Sequence, residues 1–109
     1  MSDNIKFNEW QKLNLRVGEI LSVDDHPSAD KLYIITFDVG EKKIPLVAGL
    51  KPYYNKDYLI GKKIIVFVNL EPATFRGVVS QGMLLAAEKD GKVFFLTPEK
   101  DIESGANIR

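Results

Sequence analysis

Residues 15–23 read LRVGEILSV, and this stretch, from Leu15 to Val23, sets the architecture. Leu15, Val17, Leu21 and Val23 alternate along it, the period of a strand with one buried face. Gly18 sits in its interior, where the missing side chain lets the backbone coil sharply or lets another element come close. Downstream, His26-Pro27-Ser28 is a turn, Leu32 to Val39 (LYIITFDV) a second strand, and Ile44 to Ala48 a third after the turn at Gly40 to Lys43. From Lys51 to Leu59, Tyr54, Tyr58 and Leu59 follow Pro52 at near-helical spacing, which predicts a short helix with proline in its first turn. Lys63 to Val68 and Met83 to Ala87 are further strands, and Asp90-Gly91 turns the chain into Val93 to Leu96. Upstream, Asn8 is placed to cap a short helix through Lys12, with Trp10 and Leu13 on its inner face.

Three strands, a helix and two strands is the order of an all-β, five-stranded Greek-key barrel of the OB type. A small β-sandwich would give no role to a coiled glycine-bearing first strand or to a single helix between the third and fourth strands. The expected organisation is one domain over 1–109: an N-terminal helix segment at 1–14, the barrel at 15–88, and a C-terminal extension at 89–109.

Fifteen basic and fifteen acidic side chains leave no net charge, so any attraction to nucleic acid, membrane or acidic substrate must be local. A local excess exists: Lys42, Lys43, Lys51, Lys56, Lys62 and Lys63 face Asp57 alone between positions 42 and 63. The absence of cysteine excludes disulfides, thiolate metal sites and cysteine catalysis. With one histidine, zinc lacks its usual ligands, and no calcium-loop spacing occurs, so no metal or other cofactor is expected. His26 and Asp30 could be imagined as an acid and base pair, but a histidine before proline near Asp-Lys is more simply a turn locked by hydrogen bonds, and no catalytic residue is assigned. No run of about 18 apolar residues is present and MSDNIKF is too polar for a signal peptide, which points to a cytoplasmic protein away from membranes.

The chemistry concentrates between Asn69 and Met83, NLEPATFRGVVSQGM. Pro72 and Gly77 fix the backbone of this connection. Asn69, Thr74, Arg76, Ser80 and Gln81 offer donors, with Phe75 and Met83 among them. Cationic and amide donors interleaved with flat or polarizable groups suit phosphates, base edges and stacked bases. In an OB barrel the loop after the fourth strand would form a wall of the binding groove.

The segments LRVGEI (Leu15 to Ile20), HPSADKLYIITFDVG (His26 to Gly40), LVAGL (Leu46 to Leu50), GKKIIVFVNLEP (Gly61 to Pro72) and RGVVSQGMLLAA (Arg76 to Ala87) resemble, in order, the tRNA-binding OB-fold domain. That family occurs at the C-terminus of methionyl-tRNA synthetases, in free-standing tRNA-binding proteins and in synthetase cofactors of eukaryotes. The tail PEKDIESGANIR looks like the synthetase type, closest to the C-terminal domain or beta chain of the archaeal enzyme. The resemblance implies non-catalytic, sequence-tolerant binding of folded tRNA that raises the affinity of a catalytic chain. It places tRNA contacts at Asn69, Arg76, Ser80, Gln81 and Met83, with Lys31 beside them, and Thr74 joins these as a donor of the same segment. Glu71 and Thr74 stand where many relatives have lysine, so weaker binding is expected. A protein-interaction or chaperone-like module is the alternative. Members with this tail form homodimers, and Phe7, Trp10, Phe94, Phe95, Ile102 and Ile108 lie outside the five barrel strands, more than one core can bury.

Overall fold

The computed structural model describes residues 3–109. Its longest strand, β1 (Leu15–Asp25), serves two partners. Leu15 to Glu19 pair with β4 (Lys63–Phe67), and Glu19 to Asp25 pair with β2 (Tyr33–Asp38), both antiparallel. A strand can do this only by bending. A bulge between Ile20 and Ser22 supplies one bend. Gly18 supplies the clearance: a Cβ there would lie 2.9 Å from Phe37 Cδ1 and 3.0 Å from Val66 Cγ2, inside space the core already fills.

The bulge corrects the alternation expected for this strand. One extra residue exchanges the faces, so Ile20 and Val23 turn into the barrel while Leu21 is exposed. Leu15 and Val17 lie on the opposite side with Ile65, in a second, smaller core. The main core holds Ile20, Ile35, Phe37, Leu46, Leu59, Ile64 and Val66, each essentially without solvent contact. Burial of a side chain of this size contributes about 1.5–3 kcal/mol before conformational entropy is counted.

β3 (Lys43–Ala48) pairs with β2, and the two-residue β7 (Met83–Leu84) pairs with β4. The sheet order is β3-β2-β1-β4-β7, a nearly closed five-stranded barrel. Its seam lies between β3 and the residues leading into β7. There the Gln81 N–H donates to the Pro45 carbonyl at 2.9 Å, and the Val47 N–H donates to Ser80 Oγ at 3.0 Å. Helix α2 is a single turn, Lys56–Leu59, shorter than the span expected from Lys51. Lys51 to Tyr53 form a turn instead, with Tyr53 N–H bonded to the Leu50 carbonyl, and Leu59 is the residue that α2 buries.

The helix before the barrel also differs from expectation. α1 is Phe7–Trp10, begun by Lys6 rather than Asn8, and closed at its start by the Lys6 N–H donating to Glu9 Oε1 at 3.1 Å. Its apolar side is left open by the described residues: Phe7 is 72% exposed, and Trp10 and Leu13 are also exposed rather than facing inward.

After the barrel, β8 (Ala86–Lys89) and β9 (Lys92–Phe95) form the hairpin that Asp90-Gly91 announces. The tail then returns to β1. Val17 exchanges backbone hydrogen bonds with Gly105 and Ala106, at 2.7 and 2.9 Å, and the Ile108 N–H donates to the Leu15 carbonyl at 2.9 Å. Ala106 and Ile108 thereby cover Leu15 and Val17. The strap crosses the chain closely at Gly40 and Gly105, where a Cβ on either would come within 2.9 Å of the other's Cα.

Candidate nucleic-acid interface

Between β4 and β7 the chain forms a hairpin that the sequence does not predict, β5 (Ala73–Phe75) and β6 (Val78–Ser80). Phe75 and Val78 pair across a two-residue turn, Arg76-Gly77, with φ of 49° and 86°. Positive φ at both positions is the signature of a type I′ turn, whose twist matches that of the strands it joins. Gly77 meets this requirement without cost. Arg76 does not, because a Cβ in the left-handed region crowds the following carbonyl.

The hairpin is held at its two ends by hydrogen bonds. At the root, Ser80 is 3% exposed; its hydroxyl accepts from Val47 N–H and donates to the Gly82 carbonyl, each at 3.0 Å. At the tip, buried His26 bridges to the loop after β1. Its Nδ1 accepts from Ser28 N–H at 3.0 Å, which leaves Nε2 as the protonated nitrogen donating to the Phe75 carbonyl at 2.7 Å. The expected role of His26 as a hydrogen-bonded turn residue is what the structure displays. The Arg76 guanidinium adds one long, exposed hydrogen bond to the Ser28 carbonyl at 3.3 Å.

These ties bring the loop after β1, which bears Lys31, against the hairpin tip at Arg76. Lys31, Arg76, Gln81 and Met83 are exposed. Two other candidates have different employment. Ser80 is buried and spends its hydroxyl on the seam. Asn69 ties the N-terminal segment down, its Oδ1 accepting from Asn14 N–H at 2.8 Å and its Nδ2 donating to the Lys12 carbonyl at 2.7 Å. Thr74 pairs with Val79 on the outer face of the hairpin, while Ala73 and Phe75 face the seam. Thr74 and Met83 therefore do not share a face.

Beneath Phe75 and Met83 lies a small cavity of about 170 Å³, walled by Val47, Leu70 and Ala73 with the backbone of Gly82 behind them. A Cβ on Gly82 would stand 2.6 Å from the Phe67 carbonyl oxygen, so this glycine permits the close passage of the chain over β4. Ala73 and Phe75 alternate in the sequence and could have marked a strand, but Val47 comes from β3 and no local signal links it to them.

The basic run between 42 and 63 is largely paired within the chain. Lys51 and Lys56 flank Asp25 at 3.0 and 2.8 Å, and Lys63 reaches Asp101 at 2.8 Å. The hydrogen bond from Lys56, and then that from Lys51, holds the Asp25 carboxyl below its ordinary range; the same bond raises Lys56, and Asp101 raises Lys63. Lys62 lies over the Tyr58 ring, 4.5 Å from its centroid. Lys31, Lys42 and Lys43 form no ion pair among the described residues. Among the described residues no group of three or more histidine or carboxylate side chains is placed to hold a metal ion.

The match to known proteins covers nearly all of this architecture. Residues 15–107 fit the family model described as "Putative tRNA binding domain". The chain belongs to the tRNA-binding domain family. It is 50% identical over 105 residues to a methionine–tRNA ligase of Thermococcus onnurineus, covering 96% of this chain and 14% of that protein, within its C-terminal region. The chain thus spans about a seventh of the curated relatives it matches. Among solved structures, a MetRS-related protein from Pyrococcus horikoshii superposes with a TM-score of 0.91 at 31% identity, covering 99% of this chain and all of that one. The CsaA chaperone protein of Picrophilus torridus follows at a TM-score of 0.89 and 33% identity, covering 97% of this chain and all of that one. No helix among the described residues is long and apolar enough to cross a membrane.

Proposed function

We propose that this domain binds folded tRNA without catalysing a reaction, and that it serves a methionyl-tRNA synthetase as its C-terminal domain or separate beta chain, raising the affinity of the catalytic chain for tRNA in the cytoplasm. The observation that carries the reading is Arg76. An arginine held at φ 49° on the tip of a tight turn is costly to the fold, and such outliers collect where a side chain is needed for contact. Membership of the tRNA-binding family and the likeness to methionine–tRNA ligases give the ligand class.

Arg76, Lys31 and unpaired central lysines meet phosphates; Gln81 reaches sugar or base edges, and Met83 packs against an unstacked base. Asn69 and Ser80 act indirectly, by fixing the backbone that presents the others, and Thr74 extends the surface on the outer face. With most central lysines paired internally and Glu71 in the groove, about 2 to 4 phosphate contacts are available, so log affinity falls against log salt with a slope of roughly −2 to −4. Filter binding of folded tRNA and of an unstructured RNA of equal length, each across a salt series, tests this. Preference for the folded RNA with that slope supports the reading, and absence of a complex at low salt removes it.

A second reading has its own observation, the apolar cavity beside the hairpin together with the likeness to a CsaA chaperone protein. It would make the same face a peptide-binding surface, and binding of an unfolded apolar polypeptide in place of RNA would select it.

The assembly that fits this function is a symmetric homodimer. Phe95 packs on the main core and Ile108 on the smaller one, so these two are accounted for within one chain. Phe7, Trp10, Phe94 and Ile102 remain exposed, and Ile5 and Leu13 enlarge the uncovered surface around α1. Two copies would present two grooves to one tRNA. Light scattering over a hundredfold concentration range distinguishes a dimer mass from a monomer throughout.

A further inference from the structure

We propose that the cavity between β3 and the β5–β6 hairpin receives a single unstacked nucleobase bearing an exocyclic amino group, and that Glu71 accepts a hydrogen bond from that group. This inference rests on the RNA-binding reading above and narrows it to one base.

The size of the cavity comes first. At about 170 Å³ it falls below the roughly 300–1,000 Å³ typical of sites that enclose a whole small molecule, and it suits one flat ring. Its walls are the second consideration. Phe75 and Met83 present an aromatic ring and a polarizable thioether, both partly exposed, while Val47, Leu70 and Ala73 supply an apolar floor. The third is polarity at the rim. The Ser80 hydroxyl is consumed by the seam, which leaves Glu71 as the charged residue of the lining. Glu71 is exposed and has neither hydrogen bond nor ion pair among the described residues.

An unpaired carboxylate repels phosphate and accepts from N–H groups. It therefore turns the nucleic-acid backbone toward Arg76 and Lys31 and admits a base by its donor edge. Cytosine, adenine and guanine carry amino donors; uracil offers a carbonyl at the position of the cytosine amino group and would place two acceptors against each other. Glu71, which lowers affinity as a lost cation, thus supplies discrimination at one position within contacts directed mainly to backbone.

The test uses fluorescein-labelled dodecamers of cytidine and of uridine, titrated by anisotropy at one salt concentration against the whole chain and two variants, with folded tRNA as control. The chain is expected to bind the cytidine oligomer at least fivefold more tightly. Ala73→Leu, which fills the cavity from an exposed strand position, and Glu71→Ala are each expected to bring the two oligomers within twofold of one another. The melting temperature of Ala73→Leu confirms that it folds. Equal binding of the two oligomers by the unmodified chain, with salt-sensitive tRNA binding intact, overturns the base pocket while leaving the RNA reading in place. A uniform gain for both oligomers in Glu71→Ala, with the cytidine preference retained, also overturns it, because Glu71 would then act as a repelling charge alone. Loss of all RNA binding removes both proposals, and an apolar peptide displaced by Ala73→Leu would make the cavity a side-chain pocket.

Discussion

The two hairpins outside the main sheet share a turn geometry and differ in the residue that adopts it. At β8–β9 the turn is Asp90-Gly91, with φ of 53° and 78°; at β5–β6 it is Arg76-Gly77, with 49° and 86°. Aspartate tolerates the left-handed region through local hydrogen bonding, and Asp-Gly is among the pairs this turn favours. Arginine has no such compensation, and the conformation costs on the order of 1–2 kcal/mol. The attachments differ as well. β8–β9 is held by packing, with Val93 and Phe95 on the main core and the Phe95 ring 5.0 Å from that of Tyr54. β5–β6 is held by hydrogen bonds at Ser80 and His26. The first hairpin carries a turn residue suited to its conformation; the second carries one that is not, at the position proposed to contact RNA.

Substitutions should separate the two. The largest effect on stability is expected from Phe95→Ala, which removes a partly buried ring and should cost about 1.5–3 kcal/mol in denaturant unfolding, with tRNA affinity unchanged. Ser80→Ala follows at about 1–2 kcal/mol, because Val47 N–H and the Gly82 carbonyl lose a buried partner. If instead the affinity of Ser80→Ala for tRNA falls with no change in unfolding, the hydroxyl reaches RNA after all. Asp90→Arg gives β8–β9 the turn residue of β5–β6 and should cost about 1 kcal/mol with no gain in RNA binding.

The smallest effect is expected at Asp25, whose partners are exposed lysines screened by solvent and salt. Its folded-state pKa is depressed, so its contribution is present above the usual carboxylate range and is lost as the pH falls through the depressed value. Asp25→Asn should therefore shift the denaturant midpoint slightly near neutral pH, and the shift should vanish in acid strong enough to protonate Asp25.

The sequence discloses the barrel because its strands carry local signals: period-two runs, Gly18, and a helical spacing that ends at Leu59. The bulge at Leu21 escapes, since alternation continues through it on paper while the faces exchange in space. The β5–β6 hairpin escapes because Arg-Gly is a poor turn signal between short runs, whereas Asp90-Gly91 is a good one and is legible. Among the proposed contacts, the exposed Lys31, Arg76, Gln81 and Met83 can be picked out by residue type. The tasks of Asn69 and Ser80 cannot, because they depend on partners at Lys12, Asn14 and Val47, far away along the chain. The same holds for Ile108, which covers Leu15 through a strap that forms only once β1 has bent.

Arg76 is proposed to occupy a turn position it disfavours in order to meet RNA. Arg76→Asn tests it, because asparagine before glycine is well suited to this turn while the cation is lost. On one preparation, filter binding of folded tRNA should show a loss of about 1.5–3 kcal/mol, roughly 10- to 150-fold, and the melting temperature should hold or rise. Undiminished tRNA affinity in Arg76→Asn, or a melting temperature that falls with the affinity, would contradict it.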